Sequence, residues 1–184
     1  MLSISFPVVA KAMGGSDGFS YGLQHSFQGI DHILIAFSVG LFCTLLERGF
    51  FCLIPTAFLF FMSLGGVVGV LDVPFFSGDL VLAFGVLALG GIIALNRKMP
   101  VSFAMAIVGI FALFYGHEHG RMMPEGALPF AYLAGLFAGA LILQSLGIFT
   151  GRLLIGIDRS KRLLQSGGWL IALFGGYLVL GFSA

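Results

Sequence analysis

Histidine and acidic residues gather in two short stretches of an otherwise apolar chain. The first runs from Gly22 to Cys43, GLQHSFQGIDHILIAFSVGLFC, and passes through His25, Asp31 and His32 into a long apolar segment. The second, YGHEHGRMMPE, holds His117, Glu118 and His119. Together they contain all 4 histidines. Ionisable groups at the mouth of a membrane-spanning helix are costly and mark function by default. Imidazoles mixed with carboxylates are a donor set suited to a divalent transition-metal cation. The plainer account is that Asp31 caps a helix and the histidines sit at a membrane interface. Two clusters on one side of the membrane exceed what packing requires.

Spacing limits how these donors cooperate. On one straight helix His25 and His32 would stand roughly 10 Å apart. No single ion bridges that with bonds of about 2.0–2.1 Å. Gly29 lies between them and can break the helix, folding His25 back over Asp31 and His32. Asp31 and His32 then occupy a first helical turn, where the carboxylate also complements the helix dipole. His117 and His119, two apart, point to opposite sides of a helix but to the same side of an extended segment. Gly116 and Gly120 flank them, so the helix is expected to end there. Asp79, at the start of another apolar run, is a further candidate ligand, and an N-cap is its plainer role. Below His32, the small residues Ala36, Gly40 and Cys43 share its helical face and suit either a narrow passage or close packing.

The elements that position these groups follow from composition. The chain has 184 residues, 59% hydrophobic and 9% charged, with a mean hydropathy of +1.08. Soluble domains carry roughly 25% charged residues, so this chain lacks the polar cover to stay in water. The expected class is an all-α polytopic membrane bundle of about six crossings. The spans are expected near 30–46, 50–71, 79–95, 100–115, 128–147 and 169–182, the last extending back toward Leu163. Residues 1–28 read as an external or interfacial segment containing an A-x-A pattern at Ala10–Ala12, and 29–184 as the transmembrane domain. Arg48, Arg97, Lys98, Arg152, Arg159, Lys161 and Arg162 fall in alternate connections, which the positive-inside rule makes cytoplasmic, with both termini outside. Pairs and spaced sets of glycine (Gly65-Gly66 with Gly69, Gly90-Gly91, Gly135 with Gly139, Gly175-Gly176) predict close helix contacts. Cys43 and Cys52 lie in apolar segments and read as packing residues rather than a disulfide. A net charge of +1 gives nucleic acid no support, and no G-x-x-x-x-G-K-[ST] loop for ATP occurs.

HSFQGIDH before the first span and GHEHG after the fourth resemble the HupE/UreJ family of nickel and cobalt permeases, in which a histidine is followed after five residues by aspartate-histidine. By that resemblance His25, Asp31 and His32 match the first motif, and His117 and His119 the second. Ser26 stands where the family usually has proline, and Glu118 where a small residue is common. The resemblance implies a bacterial inner-membrane permease that imports Ni²⁺ or Co²⁺, with the ion as cargo and no prosthetic group. It further implies delivery of the ion to a nickel- or cobalt-dependent enzyme pathway, and a homo-oligomer is compatible with the glycine surfaces. Two other classes fit the donor inventory: a membrane-embedded zinc hydrolase with Glu118 or Asp31 as general base, and a metal-binding accessory subunit that does not transport.

Overall fold

The computed structural model describes residues 15–46, 52–74, 78–96, 99–155 and 160–183. The segment Met1–Ala12 and the residues Glu47, Arg48, Arg97, Lys98 and Arg159 lie outside that set. The described residues form seven α-helices: α1 (Gly15–His25), α2 (Ile30–Cys43), α3 (Leu53–Val70), α4 (Gly78–Leu95), α5 (Val101–Arg121), α6 (Pro129–Ile155) and α7 (Ser160–Ser183). Helix is the natural outcome for such apolar segments, because inside a bilayer each backbone N–H and C=O must be satisfied within its own span. Proline marks two of the starts: Pro100 precedes α5 and Pro129 is the first residue of α6, where a missing N–H costs nothing.

Helices α3 to α7 are each long and apolar enough to cross a membrane. α1 and α2 reach that length only as a pair, bent by 82° at the break between them. The protein is thus a multi-pass membrane bundle, with five spans among the described residues, or six with the bent pair taken as one.

Glycine faces set the pairing. Gly65 and Gly69 of α3 lie against the backbone at Leu113 and His117 of α5, while Gly116 and Gly120 of α5 lie against Met62 and Gly66. Residue numbers rise together along this contact, so α3 and α5 run parallel. α4 and α7 are antiparallel, with Gly90 against Ala172, Gly168 against Ala94 and Gly175 against Leu87. α6 carries α1 on its first half, where Gly135 meets Phe19 and Gly139 meets Ser26. It carries α2 on its second half, where Gly147 meets Phe37 and Gly151 meets Thr44. Those contacts are parallel. Six alternating crossings, with α1–α2 as the first, require this combination of parallel and antiparallel pairs. The faces turned away from these contacts are apolar and exposed, as with Phe60, Leu64 and Val67 on α3, which suits lipid.

Two expectations are corrected. The polar, glycine-rich stretch 14–29, placed in an outer loop or on the membrane interface, contains the helix α1, and its glycines Gly18 and Gly22 are contacts with α6. The helix expected to stop near Tyr115 continues as α5 to Arg121. Gly116 and Gly120 do not end it because they face α3 at backbone contact, so their small size serves packing. The last helix begins at Ser160, close to the Leu163 toward which the last span was expected to extend. Gly90 and Gly175 make the expected helix contacts, whereas a side chain at Gly91 or Gly176 would meet nothing within 4 Å.

Candidate metal site

The corner between α1 and α2 places the first group of donors. Ser26, fully buried, directs its hydroxyl at the carbonyls of Gly22 (3.3 Å) and Leu136 (3.2 Å), which pins the end of α1 to α6. Only glycine at 139 leaves room for it. Gly29 then takes φ +92°, a conformation that side-chain-bearing residues rarely adopt. A Cβ there would stand 2.6 Å from His32 Nδ1 and 2.8 Å from Asp31 Oδ1. The turn is therefore built tightly over the first residues of α2, and His25 is folded back as the spacing predicts.

His119 is the centre of the group. Its ring centroid lies 5.0 Å from that of His25 and 4.5 Å from that of His32, edge-on to both. Tyr115, one turn earlier on α5, stacks on it at 4.3 Å with 17° between planes and meets His32 at 5.5 Å. Tyr132 of α6 donates its hydroxyl to the His119 carbonyl (2.7 Å) and sits 6.3 Å from the His25 ring. Tyr21 stacks on His25 at 6.2 Å and lies 6.2 Å from Tyr132. Three imidazoles from α1, α2 and α5 are thus walled by three tyrosines. His119 is 1% exposed, and its Nε2 has no hydrogen-bond partner. Rings that share an ion bound at about 2 Å through one nitrogen each have centroids roughly 5 Å apart, close to the spacings found. Among the described residues no group of three or more His, Cys, Asp or Glu side chains is placed to hold a metal ion as the rings stand.

Each of these imidazoles is held from behind. His119 Nδ1–H donates to the Tyr115 carbonyl at 2.9 Å. His32 Nδ1 meets Asp31 Oδ1 at 2.9 Å, and His25 Nδ1 meets Gln28 Oε1 at 3.0 Å.

The other half of the second motif faces elsewhere. Because α5 is helical here, His117 points away from His119, and its Nε2–H donates to the Val73 carbonyl after α3 (2.7 Å). The Glu118 carboxylate lies against Gly78, the first residue of α4, where the helix dipole favours an anion. Arg121 faces Asp72 across 3.5 Å, with both side chains largely solvated. His117, Glu118 and Arg121 therefore grip the α3–α4 connection, and the structure does not bring His117 or Glu118 into the imidazole group. Asp79 occupies the first turn of α4 beside Gly78. Along the sketched passage, Ala36 is fully buried, Gly40 abuts the backbone of Gln144, and the Cys43 thiol donates to the Gly40 carbonyl at 3.0 Å. Cys43 and Cys52 are free thiols.

Tyr115, Tyr132 and Gln28 escaped the sequence analysis. A continuous helix through Gly116 would have placed Tyr115 one turn below His119, and Gln28 stands three residues after His25. Tyr132 carries no local signal, since only the α1–α6 and α5 contacts bring it here. The group lies where α2, α4 and α6 begin and α3 and α5 end. Arg152, Lys161 and Arg162 lie at the opposite end, where α6 finishes and α7 starts.

Comparison with known proteins identifies the family. Residues 1–178 match the family described as HupE / UreJ protein. Among curated proteins, Protein HupE of Rhizobium leguminosarum bv. viciae is 34% identical over 183 residues, covering 98% of this chain and 95% of that protein. No solved structure matches the chain. The family match over residues 1–178 and the near full-length similarity to Protein HupE show that the chain belongs to the HupE/UreJ family.

Proposed function

We propose that the protein is a permease that takes Ni²⁺ or Co²⁺ from outside the bacterial inner membrane and releases it to the cytoplasm. The observation that carries this reading is the meeting of His25, His32 and His119, from three helices, at one end of a transmembrane bundle. Imidazole nitrogen suits both ions. The basic residues Arg152, Lys161 and Arg162 at the other end of the bundle support a cytoplasmic assignment for that end, so the histidines face outward. An even number of crossings then puts both termini outside.

A site that passes an ion must release it, and three imidazoles with no directly bound carboxylate give moderate, pH-dependent affinity. Binding requires neutral imidazoles, and protons compete with the metal. The hydrolase alternative needs a general base beside a metal-bound water. Of its two candidates, Glu118 faces α4 and not the imidazoles, and Asp31 is engaged by His32 Nδ1 at 2.9 Å. A non-transporting accessory subunit would bind the ion equally well and differ only in flux.

Purified protein in liposomes with an entrapped metal-sensitive dye separates these readings. Saturable influx of Ni²⁺ or Co²⁺ that disappears in His32→Ala is the expected result. Metal binding without influx would reassign the protein as an accessory subunit.

A further inference from the structure

Resting on the proposed metal site, we infer that the ion is bound through Nε2 of His25, His32 and His119, and that Gln28 and Asp31 are positioning residues behind two of these rings rather than ligands. In each ring Nδ1 faces an oxygen: the Gln28 amide at 3.0 Å, the Asp31 carboxylate at 2.9 Å and the Tyr115 carbonyl at 2.9 Å. A carbonyl and a carboxylate accept hydrogen bonds only, so Nδ1 carries the proton in His119 and His32. The Gln28 oxygen imposes the same state on His25. A neutral imidazole with its proton on Nδ1 has its lone pair on Nε2. The buried Nε2 of His119, without a partner, is the atom left open by this arrangement.

The device is the one by which an outer group fixes the ring orientation and tautomer of a metal-binding histidine. It assigns Gln28 a purpose that its place in the turn would not otherwise require. The backbone of Gln28 already closes the turn through its N–H to the His25 carbonyl at 3.0 Å. Its side chain is therefore free to serve the ring. For Asp31, the inference separates two roles that a loss-of-function variant confuses. A ligand carboxylate must supply charge to the ion, whereas a positioning oxygen can be replaced by an amide oxygen.

The test uses full-length protein in nanodiscs with uniformly labelled histidine, loaded with Zn²⁺ as a diamagnetic probe and read by ¹⁵N NMR. Signals are assigned by their loss in His25→Ala, His32→Ala and His119→Ala. The expected result is three rings protonated at Nδ1 and metallated at Nε2. Co²⁺ affinity should fall about 10- to 100-fold in Gln28→Leu and recover to near wild type in Gln28→Glu, which restores an acceptor. Asp31→Asn should keep most of the affinity that Asp31→Leu loses. Metal on Nδ1 of His25 or His32, or an Asp31→Asn variant as defective as Asp31→Leu, would overturn the inference while leaving the metal site standing. If Zn²⁺ moved none of the three ring signals, the site itself would fall, and the inference with it.

Discussion

The imidazole of His119 stands 4.5 Å from that of His32, joining the end of α5 to the start of α2. Neither residue reaches the other through local sequence. α5 is located by its glycine contacts with α3, and α2 by its contacts with α6, so the pair exists only in the assembled bundle. Loss of His119 should be more damaging than loss of His25, because His119 touches both other rings. His119→Ala is expected to lower Co²⁺ affinity at least as much as His25→Ala, measured by equilibrium dye competition on purified protein.

Gly29 is the hinge of the site. Its φ of +92° and the closeness of His32 and Asp31 leave no room for a methyl group. Gly29→Ala should cost about 1–3 kcal/mol of local strain and displace His32 from His119. The expected outcome is folded protein in membranes with sharply reduced metal binding, checked by size-exclusion profile and dye competition together.

Much of this was legible in the sequence. The motif around Gly29 predicted a broken helix with His25 folded back, and the apolar runs predicted the later spans. What misled was glycine. Gly116 and Gly120 look like helix stops around His117 and His119, yet they are the surface on which α3 rests. Because the helix runs on, the two histidines diverge, and only His119 joins the imidazoles. The polar composition of 14–29 likewise concealed α1, whose glycines pack on α6. Tertiary contact decided both cases, and no local pattern reports it.

Gly40 offers a test of packing on the α2–α6 face. Its Cα abuts the Gln144 backbone, so Gly40→Leu should wedge the helices apart and depress both yield and uptake. Uptake lost with full yield and intact metal binding would instead place Gly40 on the ion's route. Uptake at wild-type level would remove it from both roles.

Uptake should depend on pH in one direction. Unperturbed imidazole titrates near 6.5, and a protonated ring has no lone pair for the metal. Lowering the pH should therefore reduce Ni²⁺ or Co²⁺ influx, with a plateau on the alkaline side. Proteoliposome influx measured from pH 5 to 8 checks this (the range spans about 1.5 units on either side of that value), and a flat profile would count against histidine ligation.

Arg121 and Asp72 should matter little. Their pair is 3.5 Å long and well solvated, and such pairs contribute about 0–1 kcal/mol. Arg121→Ala is expected to leave thermal stability and uptake near wild type, in contrast to any change at His119.

The most direct measurement compares His117→Gln with His119→Gln in the proteoliposome influx assay. Glutamine at 117 can still donate to the Val73 carbonyl, so that variant should retain most of its Ni²⁺ or Co²⁺ influx. Glutamine at 119 removes the central imidazole and should abolish it. Equal loss in both variants, or loss in His117→Gln alone, would contradict a site built on His25, His32 and His119.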